Sequence, residues 1–252
     1  MKLESLRNKK IIATIEARMS STRLPGKVLM KCLNKPMLEL MIERIRRSKF
    51  INEIVIATTT NPADDVLVDF ANKVKVSYFR GSETDVMGRV TEAVRRARAD
   101  IIVQLTGDCP LIDPELIDQY IKKFSSGKFD LVANSVVRTY PIGLDVKVTS
   151  LSVFEKALAL AEDEAHHEHV LFCALEKPNE FKLLNIRAPK RLRRPEYRWT
   201  LDTIEDFKLI SAVYEHFYPK NREFTSLEII KFLDSHPEIV ELNKHVQQKK
   251  AR

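Results

Sequence analysis

The residues best suited to chemistry lie in one polar loop that follows the first apolar run of the chain, residues 11–15. Arg18, Arg23 and Lys27 place three cations within ten positions, beside hydroxyl side chains and a Pro-Gly turn. Guanidinium and ammonium groups bind polyphosphates, and Gly26, which has no Cβ, lets backbone N–H groups approach phosphate oxygens closely. The loop matches neither GxxxxGK[ST] nor GxGxxG, so a solvated basic surface loop stays open as the alternative.

Two acidic residues follow predicted strands further along the chain. Asp108 comes after residues 101–105 and Gly107, and Asp202 comes directly after residues 198–201. The charge of a bound polyphosphate must be neutralised, and Mg²⁺ held by one or two carboxylates and by phosphate oxygens does this. The alternative is that Asp108 is a loop residue and that Asp202 is the N-cap of the next helix.

Strands and helices alternate through the first half of the chain, and these elements must position the polar loops. The pattern predicts strands over 11–15, 53–58, 74–79 and 101–105, and helices that begin at Pro36, Pro62, Val86 and Pro114. This order predicts an α/β fold with a doubly wound, mainly parallel sheet. Because ligands bind at the carboxyl ends of such strands, we expect the loops after residues 15, 58, 79 and 105 to share one site.

The pattern becomes mixed beyond about residue 129. It predicts strands over 130–134, 181–186 and 198–201, and a turn followed by a strand over 140–148. It also predicts helices over 150–162, 165–176, 203–218 and 226–232. No linker separates a second domain, so residues 1–252 are expected to form one domain. Within it, residues 135–200 are expected to form a smaller inserted lobe that contributes to dimerisation.

Residues 17–29 read ARMSSTRLPGKVL and resemble ARxxSxRLPGKxL, the opening signature of the cytidylyltransferases that make CMP-activated sugar acids. The nearest branch is the one named for spore-coat polysaccharide biosynthesis, which is related to the 3-deoxy-manno-octulosonate and acylneuraminate enzymes. The resemblance implies a Rossmann-like nucleotidyltransferase fold of the nucleotide-diphospho-sugar transferase type, in which this loop wraps the triphosphate of CTP. The matching motifs extend from residue 11 to about residue 207.

The resemblance also implies roles for residues outside this loop. Gly107-Asp108-Cys109-Pro110 matches a Gly-Asp-x-Pro motif whose aspartate binds magnesium, and Asp202 matches a late aspartate that completes the metal site. Residues 80–85 correspond to the base-recognition loop, and Ile204 stands where a proline is common. The expected catalytic residues are Arg18, Lys27 and Asp108, and the expected CTP contacts are Ala17, Arg18, Arg23, Gly26, Lys27, Thr58, Gly81, Ser82, Asp85 and Gly107.

The acceptor side of the site is expected to lie in the lobe. Residues 143–146 resemble part of the branch's PRGLDVEV stretch, although Ile142 replaces the usual arginine and Lys147 the usual glutamate. Residues 166–170, HHEHV, resemble a REHV-like segment, and a zinc site in these histidines is an alternative even though HExxH is absent. The expected acceptor contacts are Gly143, Asp145, His169, Arg187 and Arg198. The two arginines are expected to form bidentate pairs with a carboxylate or phosphate of the acceptor. The alternative is that they are solvated or ion-paired surface residues.

The composition is that of a globular protein with a basic balance. The 252 residues are 44% apolar and 31% charged, and a formal net charge of +7 leaves nucleic acid, a membrane surface and phosphorylated small molecules open as partners. Three widely spaced cysteines predict no disulfide framework, and no apolar run is long enough for a signal peptide or a membrane span, so a cytoplasmic location is expected. The basic excess is concentrated in Arg187, Lys190, Arg191, Arg193, Arg194 and Arg198, and in Lys249, Lys250 and Arg252.

The residues and the resemblance together predict a Mg²⁺-dependent cytidylyltransferase that moves CMP from CTP to a sugar acid or sugar-like acceptor and releases pyrophosphate. We expect it to act as a homodimer in surface polysaccharide biosynthesis, without nucleic-acid or membrane partners. One alternative is another nucleotide-sugar enzyme on the same fold, either a transferase that prefers UTP or dTTP or a glycosyltransferase, although residues 202–204 do not match DxD. The other alternative is a nucleic-acid-binding module, which the basic balance suggests and no recognised motif supports.

Overall fold

A seven-stranded sheet flanked by helices forms the centre of the protein in a computed structural model, which describes residue 6 and residues 8–249. The sheet contains β1 (Ile11–Glu16), β4 (Glu53–Thr59), β5 (Ser77–Gly81), β6 (Ile101–Thr106), β7 (Leu131–Ala133), β8 (Lys147–Thr149) and β9 (Leu183–Asn185), while β2 (Lys31–Cys32) and β3 (Lys35–Pro36) form a small separate hairpin. The α-helices are α1 (Met37–Ile45), α2 (Asp65–Val74), α3 (Val86–Ala97), α4 (Pro114–Phe124), α5 (Leu151–Ala159), α6 (Glu164–Glu168), α7 (Phe172–Glu176), α8 (Ile204–Phe217), α9 (Ser226–Asp234) and α10 (Pro237–Val240).

The strand order in the sheet is β5-β4-β1-β6-β8-β7-β9. From β5 to β6 every neighbouring pair is parallel, β8 runs antiparallel to both β6 and β7, and β7 is parallel to β9. The prediction of an α/β fold with a mainly parallel sheet is therefore confirmed. Two strands from the expected lobe, β8 and β9, belong to this central sheet.

The central strand β1 is apolar on both faces because both faces are covered. Ile11, Ala13 and Ile15 pack into the core cluster that contains α1, α4 and α8, whereas Ile12 packs into the cluster on the other face, which contains α3 and α5. A continuous apolar run is what a strand buried between two helical layers requires. Glu16 ends the strand opposite Thr106 of β6, so the segments after β1 and β6 leave the sheet at the same edge.

The third predicted strand begins later than expected. Val74 is the last residue of α2, and Lys75 then adopts a left-handed conformation with φ of 56° that ends the helix. The strand therefore begins at Ser77 rather than at Val74. The apolar residues Val74 and Val76 pack against the core from this helix end and not from a strand.

Two of the predictions for the second half of the chain are wrong. The helix expected over 165–176 is divided into α6 and α7, because Leu171 between them is fully buried with φ of 62° and donates its backbone N–H to the sulfur of Met87. Residues 198–201 form no strand, and only an isolated parallel bridge joins Arg198 to Ile142. The remaining predicted helices and strands are present with shifted ends, and α10 was not predicted.

Two expectations concern membrane-spanning segments and the charged ends of the chain. Among the described residues, none of the helices combines the length and the apolar character needed to cross a bilayer. Part of the charged N-terminal stretch (residues 1–5 and 7) and part of the basic tail (residues 250–252) lie outside the described residues.

Candidate active site

A cavity of about 440 Å³ opens where β1 and β6 end. The loops after these two strands line it, together with parts of the lobe and the C-terminal segment, so their predicted convergence is confirmed. Within the described part of the chain, residues 58–61 and 80–85 do not line it. The lining residues are Glu16, Ala17, Arg18, Ser21, Thr22, Arg23, Lys27, Val28, Val86, Arg89, Gln104, Thr106, Gly107, Asp108, Cys109, Ile142, Gly143, Asp145, Lys147, Glu168, His169, Val170, Thr200, Asp202, Gln248 and Lys249.

The cationic loop after β1 is folded by a tight turn. Gly26 has φ of 71° and donates its backbone N–H to Met19 O at 2.9 Å, and the 3₁₀ helix Lys27–Leu29 follows directly. A residue with a Cβ adopts this φ only with strain, which explains the glycine. Gly26 itself does not line the cavity, but the turn allows Arg18, Arg23 and Lys27 to do so.

Lys27 lies between the two predicted metal-binding carboxylates. Its ammonium donates to Asp108 Oδ2 at 3.3 Å and to Asp202 Oδ1 at 2.8 Å. Burial opposes the charge on Lys27, but the two carboxylates outweigh it and raise the lysine pKa. Burial likewise opposes ionisation of Asp108, and Lys27 and Thr106 outweigh it and lower the pKa of this carboxyl. Lys27 and Asp108 are therefore both charged near neutral pH.

Asp202 is held by two arginines as well as by Lys27. Arg23 Nη2 lies 2.9 Å from Asp202 Oδ1, and Arg198 Nη2 donates to Asp202 Oδ2 at 2.7 Å. Arg198 is 4% exposed and also donates to Asp206 Oδ1 at 2.8 Å. Arg198 does not line the cavity, so its guanidinium is committed to this buried network instead of facing an acceptor as expected.

The alternative role of Asp202 as a helix N-cap is wrong. Thr203 is the N-cap of α8, and its hydroxyl accepts the backbone N–H of Asp206 at 3.4 Å. The carboxylate of Asp206 accepts the Thr203 N–H in return at 3.0 Å, which completes a capping box. The carboxylate of Asp202 is thus left to face the cations of the cavity.

Polar residues that the sequence did not indicate as site residues form the floor of the cavity. Gln104 Nε2 donates to Glu16 Oε2 at 2.6 Å, while Glu16 Oε1 is buried without a hydrogen-bond partner. Burial raises the pKa of Glu16 to about 8, against the opposing effects of Gln104, Lys147 and Arg89. Glu16, Gln104 and Lys147 meet through the pairing of β1, β6 and β8, which the sequence does not reveal. The sequence signal for this group was the departure from the family pattern at Lys147.

The predicted base-recognition residues lie beside the cavity. Asp85 is the N-cap of α3, where it accepts the Gly88 N–H at 2.9 Å, and it also contacts His167 Nδ1 at 2.9 Å. Ser82 Oγ accepts the Asp85 N–H at 3.0 Å, and a Cβ on Gly81 would lie 2.9 Å from Arg89. These residues are placed to support the loop, and they do not line the cavity in this structure.

Of two further predicted CTP contacts, Thr58 and Gly107, one lines the cavity and the other does not. Thr58 is fully buried inside β4 and does not line the cavity. Gly107 does line it, and its backbone N–H donates to Glu16 O at 2.9 Å. A Cβ on Gly107 would lie 2.8 Å from that same oxygen, which explains why this position is a glycine.

Three of the five predicted acceptor contacts line the cavity, namely Gly143, Asp145 and His169. Gly143 has φ of 101°, and a Cβ there would lie 2.6 Å from the carbonyl carbon of Trp199, so only glycine fits against this segment. Arg187 is exposed and, like Arg198, does not line the cavity.

The three clustered histidines do not converge on a common point. His166 is buried and contacts Glu176 Oε2 at 3.0 Å, His167 contacts Asp85, and His169 faces the cavity. No group of three or more metal-binding side chains of the His, Cys, Asp or Glu type occurs in the part of the chain that the structure describes. The zinc alternative therefore finds no support.

The Asp108–Asp202 pair nevertheless fits a hard divalent cation that also binds phosphate. Both carboxylates already approach one cationic group, the ammonium of Lys27, at distances of 3.3 and 2.8 Å. Carboxylate oxygens are the ligands that Mg²⁺ prefers, and Mg²⁺ commonly takes only one or two of them, completing its shell with phosphate oxygens and water. Asp108 and Asp202 are the residues that would hold it.

Comparisons with known proteins give a consistent result. The family model described as "Cytidylyltransferase" matches residues 12–236. The chain is 38% identical to an uncharacterized protein of Methanocaldococcus jannaschii, over 96% of this chain and 98% of that one, and 32% identical to the spore coat polysaccharide biosynthesis protein SpsF of Bacillus subtilis, over 90% and 95%. Its fold is similar to the solved structure of a cytidylyltransferase from Leptospira borgpetersenii, with a TM-score of 0.87 and 32% identity over 96% of this chain and all of that one.

Proposed function

Because the chain belongs to the cytidylyltransferase family, we propose that it transfers CMP from CTP to a sugar acid or sugar-like acceptor and releases pyrophosphate, with Mg²⁺ as cofactor. The observation that carries the proposal is the position of Lys27 between Asp108 and Asp202, at the end of a cationic loop. The name of the Bacillus relative supports a role in surface polysaccharide biosynthesis.

In the proposed reaction, an acceptor oxygen attacks the α-phosphorus of CTP, the bond to the β-phosphate bridging oxygen breaks, and pyrophosphate leaves with that electron pair. Arg18, Arg23 and Lys27 bind the β- and γ-phosphates and stabilise the charge that develops on the leaving group. Mg²⁺, held by Asp108 and Asp202, supplies charge neutralisation at the phosphates when bound. The protein then accelerates transfer by orientation and electrostatics, without a covalent intermediate.

The ion pairs of the site support this assignment. Lys27 and Arg23 neutralise Asp202, and the incoming triphosphate offers these cations new anionic partners. Exchanging carboxylate contacts for phosphate contacts frees Asp108 and Asp202 to hold a cation.

The direct test is pyrophosphate release from CTP, with UTP and dTTP as comparison nucleotides and with panels of sugar acids and sugar phosphates as acceptors. Lys27→Ala and Asp108→Ala are expected to remain folded by circular dichroism and to lose at least about a hundredfold in turnover, because each removes a charge that faces the reacting phosphates. Lys31→Ala, at an exposed lysine four positions from Lys27, is the control and is expected to retain activity. Wild-type turnover in either site variant would contradict the mechanism.

We further propose that the protein acts in the cytoplasm as a homodimer. Its three cysteines are buried free thiols, as suits a reducing compartment. In the lobe, Val136 and Val137 expose adjacent apolar side chains, 48% and 44% accessible, that a second subunit would cover. Light scattering of wild type and of a Val136→Asp/Val137→Asp variant tests the dimer, which the variant is expected to weaken.

A further inference from the structure

The C-terminal segment, which we define as residues 241–249, returns to the cavity. The family model ends its match at residue 236, so this segment lies beyond the part of the chain that the family comparison covers. Two of its residues, Gln248 and Lys249, nevertheless line the cavity together with the loop and lobe residues. This part of the chain therefore has a position from which it can contact a substrate.

Specific hydrogen bonds hold the C-terminal segment in place. Asn243 is 2% exposed, and its side-chain amide donates to Arg198 O at 2.9 Å and to Asp206 Oδ1 at 2.8 Å. Gln248 Oε1 accepts a hydrogen bond from Arg198 Nη1. Because Arg198 also bonds Asp202, the segment is attached to the same network that positions a predicted metal-binding carboxylate.

The cavity lining near Lys249 includes Lys147, Glu168 and His169. Burial lowers the pKa of His169, Glu168 opposes this effect, and the charges of Lys147 and Lys249 lower the pKa further, so these side chains lie near one another. Asp145 in the same lining is neutralised by Arg138, which donates to its two oxygens at 2.9 and 3.0 Å.

Lys147 and Lys249 differ in the partners they already have. Lys147 donates to Val170 O at 2.8 Å, and burial lowers its pKa against the opposing effects of Glu16 and Asp145. Lys249 is exposed and has no acidic partner among residues 8–249. Its ammonium is therefore available to a ligand, and a carboxylate or phosphate is the group that an ammonium binds best.

We propose that the C-terminal segment forms the rim of the acceptor end of the cavity and that Lys249 binds an acidic group of the acceptor, either a carboxylate or a phosphate. The inference rests on the proposed function, since it assumes that CTP occupies the Arg18–Lys27 side of the same cavity. It assigns a substrate contact to a residue outside the family match.

Calorimetry on the full chain, with the uncleavable analogue α,β-methylene-CTP and Mg²⁺, tests the inference in two steps. The first titration measures nucleotide affinity in wild type, Lys249→Gln and Lys244→Gln, and we expect three similar values. The second titrates the nucleotide-loaded protein with 3-deoxy-manno-octulosonate as the carboxylate probe and with glucose 1-phosphate as the phosphate probe. Lys244 is the matched control because it lies in the same exposed segment but is paired with Glu241.

We expect wild type to bind at least one probe and Lys249→Gln to bind it about fivefold more weakly, the effect of losing one exposed ion pair, with Lys244→Gln unchanged. The probe that loses affinity identifies the acidic group as carboxylate or phosphate. Equal affinity in Lys249→Gln and wild type, or no binding of either probe to nucleotide-loaded protein, would overturn the inference and leave the proposed function standing. Failure of wild type to bind the nucleotide would contradict the proposed function itself and the inference with it.

Discussion

Glu16 ends β1 with a carboxyl group at the floor of the cavity, and its protonation is linked to folding. Burial raises its pKa to about 8, above the value of an unfolded chain, so between these two pKa values the folded state binds more protons than the unfolded state. Stability from this group is therefore present at low pH and lost as the pH rises. We expect the free energy of unfolding to fall by up to about 3 kcal/mol between about pH 5.5 and 8, and Glu16→Gln to remove most of that slope in urea denaturation.

Glu53→Gln is the control for this pH dependence. Burial raises the pKa of Glu53, but hydrogen bonds from Lys10 and Ser77 outweigh burial and lower it. The stability that Glu53 contributes is therefore lost only as the pH falls toward the acid range. Above about pH 5.5, the free energy of unfolding of Glu53→Gln should change with pH as it does in wild type. An unchanged slope in Glu16→Gln would show that this carboxyl group titrates normally in the folded protein.

The sequence could predict site residues that lie in loops at strand ends, but it could not predict those that face the cavity from within the sheet. Lys27 and Asp108 come together as expected, because the parallel strands β1 and β6 deliver their carboxyl ends to one edge. Asp202 follows no strand, and it reaches Lys27 where the Leu201 N–H bonds Asp108 O at 2.7 Å. Lys147 reaches the floor only because the antiparallel strand β8 pairs it with Gln104, a long-range register that periodicity does not contain. Arg198 was expected in the cavity, yet buried aspartates nearby provide better partners.

At the scale of the element, Lys75 shows how a helix end can be improved. It ends α2 with φ of 56°, and its side chain is exposed. A left-handed conformation costs a residue with a Cβ about 1 kcal/mol and costs glycine nothing. We therefore expect Lys75→Gly to stabilise the protein by about 0.5–1 kcal/mol, measured as an increased urea midpoint with an unchanged m-value.

Lys73→Gly provides the matched comparison, since Lys73 is also an exposed lysine of the same helix but precedes its end. Glycine inside a helix is unfavourable, so this change is expected to destabilise by about 0.5–1 kcal/mol. Opposite signs for two lysines two positions apart would identify backbone conformation as the cause. If both variants were destabilised, the left-handed helix end would not persist in solution.

The two mispredicted helix boundaries share one physical origin. Lys75 and Leu171 both adopt positive φ without being glycine, so neither carries the sequence signal that normally marks a helix end. Leu171 is fully buried and bonded to Met87, which means that tertiary packing selects its conformation over the local helical preference. Pro114 begins α4 as predicted because proline acts locally at a helix start. Pro36 instead ends β3 one residue before α1, and Pro62 begins a short 3₁₀ helix before α2.

At the scale of the whole molecule, the fold separates positive charge that is adjacent in the sequence. Of the basic cluster between residues 187 and 198, Arg198 is buried against Asp202 and Asp206, and Arg194 pairs with Asp234 at 2.6 Å. Only part of that cluster therefore remains available to a polyanion. Three of the cations that line the cavity, Arg18, Arg23 and Lys27, come instead from the loop after β1.

This distribution predicts that salt weakens binding of the nucleotide through its phosphates. The chain carries a formal charge of +7, and the cationic loop lines an open cavity, so Mg²⁺ and CTP should bind about tenfold more weakly at 0.5 M NaCl than at 0.05 M as charges are screened. Cytidine, which has the same base and ribose but no phosphate, is the control and should change less than about twofold. Equal salt dependence for both ligands would place the phosphates away from the loop. Tighter binding of mixed-sequence DNA than of CTP at 0.05 M NaCl would favour the nucleic-acid alternative instead.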